Sequence, residues 1–168
     1  MRPTTRIPGV IIRAMMIDDY EQCAELWSHA KEVKEYSVSD SRSRIDLFLR
    51  MNPDTCFVAD ADGQIIGTIL GGFDGRRAYI YHLVVGREMH GHLVGCCLLE
   101  KTLVAMRRKG VEKVYVFVPV KHNLHGIAFW ESQRWEKRPD LRMMSLQLGG
   151  QIPVPLEKSK TGTTRIRV

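Results

Sequence analysis

The sequence predicts an α+β fold on one mixed β-sheet, antiparallel at its start and parallel in its middle, with helices flanking it. Three observations carry this expectation. Two strand-like runs, 55–61 and 64–70, are joined by Asp62-Gly63, a dipeptide suited to a two-residue hairpin because both residues tolerate positive φ. A strand-like run at 78–85, an apolar helical pattern at 92–109 and a second apolar run at 111–118 form a βαβ unit, whose long crossover makes its strands parallel neighbours. Helical periodicity dominates between 18 and 51, ahead of the hairpin, so these helices must lie on the sheet instead of alternating with its strands.

The elements follow in order. Residues 10–15 read as a first strand, and Asp18 with Glu21 three residues later has the capping-box spacing that opens a helix. That helix, carrying Tyr20, Cys23, Ala24, Trp27 and Ala30 on one face, is expected to run to about Lys34. A second helix spans 41–51, with Ile45, Phe48 and Leu49 at helical spacing, and Asn52-Pro53 ends it. After the hairpin, 71–75 forms a second turn and 78–85 the third strand of the antiparallel part. The helix at 92–109 closes with Arg107, Arg108, Lys109 and then Gly110, cations and a glycine being what a helix C-terminus favours. A short helix at 124–133 and a last strand at 143–148 complete the core. The tail after Gly149 has no core pattern and is expected to be flexible or to pack across a partner subunit. No internal repeat is present.

A chain of 168 residues, 44% of them hydrophobic, is the size of one domain that needs no metal or disulfide to hold it. No run approaches the roughly 20 apolar residues of a membrane span, and the N-terminal stretch lacks the features of a leader, so no membrane partner and a cytoplasmic address are expected. Cys23, Cys56, Cys96 and Cys97 have no metal-ligand spacing and read as reduced thiols; no metal site is expected. The net charge of +6 sits at the ends: Arg2, Arg6 and Arg13 at one, and Lys158, Lys160, Arg165 and Arg167 against Glu157 at the other. The body between them is formally neutral, which argues against a nucleic-acid groove across the fold and leaves two basic ends as solvated tails or weak anion-binding arms.

The chemistry is expected where the strand at 78–85 feeds the turn 89–96 and the following helix, because a glycine-bearing turn into a helix N-terminus offers backbone N–H groups to an anion such as a pyrophosphate. The string YIYHLVVGREMHGHLVGCCLLEKTLVAMRRKG resembles the cofactor segment of GNAT N-acetyltransferases, with its strand ending in Leu-x-Val followed by Arg/Gln-x-x-Gly-x-Gly/Ala. Asn123 to Trp135 resembles that family's Asn-x-x-Ala-x-x-Phe-Tyr-x-x-x-Gly-Phe. FVADADGQIIGTILGGFDG is similar to its second and third strands, and IIRAMMIDDYEQCAELW to its opening strand and helix. The resemblance covers about 10–148, which makes 1–9 an N-terminal extension, 10–148 a GNAT-like domain and 149–168 a basic C-terminal tail.

The resemblance implies acetyl-CoA as co-substrate, an amine as acceptor, and direct transfer in a ternary complex. It implies that the backbone of Leu83, Val84 and Val85 holds the pantetheine arm and that one amide, of Val84 or Val85, polarises the thioester carbonyl as an oxyanion donor. It further implies that the amides of His90, Gly91, His92, Leu93, Val94, Gly95 and Cys96 take the pyrophosphate. Asn123 would meet the pantetheine arm, and Trp130 stands where the family usually has a tyrosine. Three more departures are specific: His90 replaces Arg or Gln, Leu93 replaces the first motif glycine, and Arg134 replaces the glycine of the last motif.

The acceptor amine must be neutral to attack, and the candidate bases are Asp74, Tyr81 and His82. Each has an ordinary alternative: Asp74 is a good turn residue, and Tyr81 and His82 should alternate across their strand, so that only one faces a given site. His122 and His125 lie beside Asn123. The acceptor itself is not legible, because the fold sets the donor site while the stretches 33–43 and 71–77 shape the acceptor pocket. Two other readings stand beside acetyl transfer: a non-catalytic acyl-CoA-binding or regulatory module, and a ribosome- or nucleic-acid-associated protein using its basic ends. A homodimer through an exposed strand or the tail is compatible with all three.

Overall fold

The computed structural model describes residues 8–30, 38–121, 123–146 and 148. Its described strands form one five-stranded sheet in the order β1-β2-β3-β4-β5: Val10–Ala14, Phe57–Ala61, Gln64–Phe73, Ala78–Val85 and Val114–Val116. The first four are antiparallel to their neighbours and β4 and β5 are parallel. Helices α1 (Tyr20–Ser28), α2 (Arg42–Met51), α3 (Val94–Arg108) and α4 (Leu124–Ser132) flank it, with short 3-10 turns at Ile17–Asp19, Val38–Asp40 and Arg87–Met89. The α+β class with a mixed sheet is the expected one. No described helix is long and apolar enough to cross a membrane.

Local chemistry explains each element. Asp62 and Gly63 both take positive φ, 51° and 90°, as a two-residue hairpin with the twist of β2 and β3 requires. The turn at the end of α3 is a Schellman motif: Gly110 N–H donates to Arg107 O at 3.0 Å and Val111 N–H to Met106 O at 3.1 Å. Helix α1 ends at Ser28, short of the expected Lys34, because Ser28 Oγ and His29 Nδ1 both bond Glu25 O, at 2.7 and 2.8 Å, and compete for the helix's last acceptors. Residues 31–37 lie outside the described residues. The expected capping box of Asp18 and Glu21 gives way to a different arrangement, in which Met16 N–H donates to Asp19 Oδ2 at 2.8 Å while Asp18 and Glu21 face Arg42.

Two strand boundaries differ in ways that shape the site. Gly71 and Gly72, expected in a turn, extend β3 instead, since a Cβ on Gly71 would lie 2.5 Å from Thr55 O and the glycine lets the two strands close. The turn is therefore Asp74 to Arg77, held by Asp74 Oδ1 accepting from Arg76 and Arg77 N–H at 2.8 and 2.6 Å. Strand β5 has only three residues of the expected run 111–118: Val111 closes the α3 C-terminus, and after Val116 the chain leaves β4.

The core lies on the α1/α2 side of the sheet, where Cys23, Trp27, Ile45, Leu49, Val58 and Leu70 are buried together. On the other side α3 packs Leu98 and Met106 against β3, the added Cβ of Gly67 meeting Leu98 at 3.1 Å and that of Gly71 meeting Met106 at 2.9 Å. Cys23 and Cys56 are buried free thiols, pushed up by burial to about 12 and about 11, which keeps them protonated and inert. Cys96 and Cys97 are only half-buried.

The chain divides into two compact units, 1–134 and 135–168, and the sheet and helices belong to the first. In the second, the described residues form no strand, so the expected strand at 143–148 is absent; Met143, Met144, Leu146 and Leu148 are exposed. An alternating apolar run becomes a strand only when a neighbour accepts its backbone hydrogen bonds, and none pairs with it among the described residues.

Candidate active site

The site begins with an irregularity in β4. Thr68 pairs with Val84 and Leu70 with Tyr81, so His82 and Leu83 together oppose Ile69, a β-bulge. His82 takes φ 45°, a conformation uncommon for a residue with a side chain. The bulge rotates the second half of β4 away from β5, whose pairing with β4 stops at Ile80 and Val116. Between the diverging strands and the N-terminus of α3 opens a cleft of about 490 Å³.

Of the residues singled out in the sequence, the cleft brings together Tyr81, His82, Leu83, Val84 and Val85 from β4. From the following turn and α3 come His90, Gly91, Leu93, Val94, Gly95 and Cys96, and from the α4 region Asn123 and Trp130. Asp74 and His92 do not line it. Met89, from the expected turn, lines it as well, as do Val116, Phe117, Pro119 and Phe129, which were not singled out; the cue for Phe117 and Pro119 would have been the end of strand pairing, which no local pattern announces.

The turn expected to receive an anion leaves fewer of its amides open than the sequence implied. The N–H of His90 is spent on Arg87 O at 3.2 Å and that of His92 on Met89 O at 3.2 Å, so these two amides are engaged within the turn. The first intrahelical bond of α3 is Cys97 N–H to Leu93 O, 2.9 Å, so Val94 and Gly95 precede any acceptor inside the helix, and no side chain caps them. Leu93 is the N-cap, at φ 58°, and Gly91 has φ 85°. The His90 imidazole reaches back to Val85 O at 3.1 Å, Nε2–H donating, and ties the turn to the end of β4. Gly95 faces the Phe129 ring and Val85; a methyl group on it would lie 3.4 Å and 3.6 Å from them.

Asn123 caps α4: its Oδ1 accepts from Gly126 N–H at 3.1 Å and its Nδ2 donates to Pro119 O at 3.2 Å, so the side chain clamps the chain after β5 to the helix. Trp130 packs edge-on against Phe129 at 5.3 Å. His122 lies outside the described residues and His125 lines the cleft.

The three candidate bases separate. The Asp74 carboxyl is held below its usual range by the backbone N–H groups of Arg77 and Arg76, and it serves its own turn. Tyr81 packs on Phe48 at 6.0 Å, and burial, with Tyr79 and Asp74 nearby, pushes its phenol up, so it is protonated near neutral pH. His82 is different from expectation: the bulge cancels the alternation, and its ring lies against Trp27 of α1 at 4.6 Å while Tyr81 meets α2, so both side chains face the α1/α2 side. Its Nε2 is 2.7 Å from Asp40 Oδ1, a contact between residues 42 apart that the sequence did not reveal. Among the described residues, no group of three His, Cys, Asp or Glu side chains could hold a metal ion.

Residues 15–134 match the Acetyltransferase (GNAT) family. An acetyltransferase of Photorhabdus laumondii is 35% identical over 130 residues, covering 76% of this chain and 87% of that protein. Among solved structures, an acetyltransferase of Streptococcus agalactiae is similar with a TM-score of 0.68 at 14% identity, over 84% of this chain and 93% of that one. A predicted acetyltransferase of Clostridium acetobutylicum, solved with acetyl-CoA, has a TM-score of 0.63 at 11% identity, over 81% of this chain and 96% of that one. The chain belongs to the GNAT acetyltransferase family and is an acetyl-CoA-dependent acyltransferase.

Proposed function

We propose that the protein transfers the acetyl group of acetyl-CoA directly to a primary amine, on a small molecule or a protein, in a ternary complex without a covalent enzyme intermediate. The observation that carries this reading is the bulge at His82 and Leu83, which opens the β4 edge beside the α3 N-terminus. In this reading the pantetheine arm lies along the backbone of Leu83 to Val85. The pyrophosphate sits at the amides around Gly91 and Leu93 to Cys96, where the helix dipole also favours negative charge. The Val85 N–H, or that of Val84, donates to the thioester oxygen as it gains charge. His82 takes the proton of the acceptor amine, since Asp74 lies outside the cleft and the Tyr81 phenol holds its proton. Trp130, an N–H donor with no proton to release, orients the arm and does not act as the acid.

The test is a calorimetric titration with acetyl-CoA of the parent protein and of Gly95→Glu. A carboxylate at a helix N-terminus favours the helix itself, and the added Cβ makes only ordinary contact with Phe129 and Val85, so loss of binding with the parent's melting temperature retained reports the donor site and not unfolding. Asn123→Ala is a poorer probe, because it also removes the cap of α4, worth about 1 kcal/mol. Micromolar binding to the parent that Gly95→Glu abolishes supports the donor site. Transfer is then read as free thiol released with phenethylamine, spermidine and peptides bearing a free α-amine. Binding with no release for any amine would favour the non-catalytic acyl-CoA module, and the basic ends, of which only Arg13 lies among the described residues, carry no part of this reading.

A further inference from the structure

Asp40 closes the 3-10 turn Val38–Asp40, in the stretch before α2, and reaches across to the bulge of β4. Its Oδ1 lies 2.7 Å from His82 Nε2, with both side chains largely out of solvent, 15% and 17% exposed. Each partner is held by an element of its own. The hydroxyl of Thr68 donates to His82 O at 2.9 Å and accepts the Trp27 indole N–H at 2.8 Å, which pins the strained backbone at φ 45°. The Trp27 ring covers the imidazole, and the Tyr20 hydroxyl donates to Asp40 O at 2.9 Å. A carboxylate accepts and cannot donate, so Nε2 carries the proton of the neutral imidazole and Nδ1 keeps its lone pair.

We propose that Asp40 is the positioning residue for His82, fixing the ring so that Nδ1 is the basic atom and balancing the positive charge when that atom takes a proton. The proposal rests on the reading of His82 as the base of amine acetylation. In that sequence the acceptor, as R–NH3⁺, loses one proton to Nδ1, directly or through one water, and imidazolium forms opposite Asp40. The freed lone pair makes the C–N bond, the C–S bond breaks, and the remaining excess proton on nitrogen goes to the departing thiolate; the imidazolium proton then passes to solvent. Asp40 never touches the substrate. Titratable and charged side chains near the pair include Tyr20, bonded to the Asp40 backbone, Arg42 at the start of α2, whose guanidinium lies 6.0 Å from the Tyr20 ring centre, and Tyr81, the neighbour on β4; α1 and β3 present Trp27 and Thr68 to His82.

The experiment compares the parent with His82→Gln, Asp40→Asn and Asp40→Ala in three measurements. Nitrogen-15 spectra of the histidine rings, with His82→Gln assigning the signal, read the tautomer; acetyl-CoA titration reads the integrity of the donor site; and kcat/KM is followed against pH with the best amine of the panel. The parent is expected to hold His82 as the Nε2–H tautomer, and Asp40→Ala to release it into a mixture. His82→Gln should lower kcat on the order of 10²-fold, the lower end for a general base. Asp40→Asn should lower it by at least roughly 10-fold, with the acidic limb of the profile moved to lower pH and acetyl-CoA affinity unchanged. An Nδ1–H tautomer in the parent, or an acidic limb that Asp40→Asn leaves in place, overturns the assignment of Asp40 alone. A parent that acetylates none of the amines overturns the reading of His82 as a base and this assignment with it.

Discussion

Leu93 and Arg134 occupy the positions where the family pattern has glycine, and both take the backbone conformation a glycine would favour, with φ of 58° and 63°. The turns have therefore kept their geometry while losing the residue that adopts it without strain, at a cost of about 1–2 kcal/mol for each side chain in the left-handed region. Leu93→Gly should recover part of this, offset by the larger entropy glycine brings to the unfolded chain, for a net gain of up to about 1 kcal/mol. Leu93→Ala keeps the Cβ and should show no such gain. Thermal unfolding of the two variants separates them; a glycine variant no more stable than the alanine one would mean the turn is not strained. Removing the Cβ also clears the approach to the amides of the α3 N-terminus, so acetyl-CoA should bind Leu93→Gly at least as tightly as the parent. The glycine-to-leucine change was legible in the sequence, but its outcome was not, because a motif records which residue is usual and not whether the backbone can hold its shape without it.

The contact between β3 and α3 is the tightest test of packing at the level of elements. A methyl group on Gly71 would sit 2.5 Å from Thr55 O and 2.9 Å from Met106 Cε and Thr102 Cγ2. Since one of these is backbone, Gly71→Ala should cost about 1–3 kcal/mol by overpacking, seen as a lower denaturant midpoint. Thr102, fully buried on the same face of α3, has a hydroxyl with no hydrogen-bond partner among the described residues, so Thr102→Val should stabilise by about 1 kcal/mol by exchanging a desolvated polar group for a methyl of like size. A loss of stability in the valine variant would mean that the hydroxyl has found a bond. The same elements show what a sequence can announce. The hairpin at Asp62-Gly63, the Schellman end of α3 and the βαβ order are local signals, and each was read where it stands. The bulge at His82, the three-residue length of β5 and the missing strand at 143–148 depend on which partner accepts a strand's hydrogen bonds, and no periodicity along one chain encodes that. So the grouping of β4, the turn and the start of α3 along one side of a cleft was legible, whereas Asp40 opposite His82, brought there by the packing of two distant segments, was not.

Across the whole molecule, one cluster of charge ties the beginning of the chain to the sheet. Arg13 on β1 grips Asp19 with two bonds, 2.7 and 2.8 Å, and Asp60 on β2 with a third of 2.8 Å, joining the first strand, the turn into α1 and the hairpin. Burial pushes the Asp19 carboxyl up, but the Arg13 guanidinium and the Met16 N–H outweigh it and hold it below its usual value; Arg13, with help from Gly63 N–H, does the same for Asp60. Both folded values are thus lower than the unfolded one, about 3.9 for an aspartate. Stability from this cluster is then fully present above that value and is lost as the pH falls through the lower folded values, because the native state must give up bonds to charged carboxylates while the unfolded chain already binds protons. The unfolding midpoint should fall steeply below about pH 4, where a protein without such pairs would fall less. Arg13→Met should cost about 1–2 kcal/mol at neutral pH, less than a fully buried pair because the guanidinium is a third exposed and open to screening by salt, and should flatten the acid limb. Denaturant unfolding of parent and variant from pH 3 to 7 measures both effects. If the two stability curves run parallel through the acid range, the carboxylates gain nothing from Arg13 and the acid sensitivity of the fold originates elsewhere.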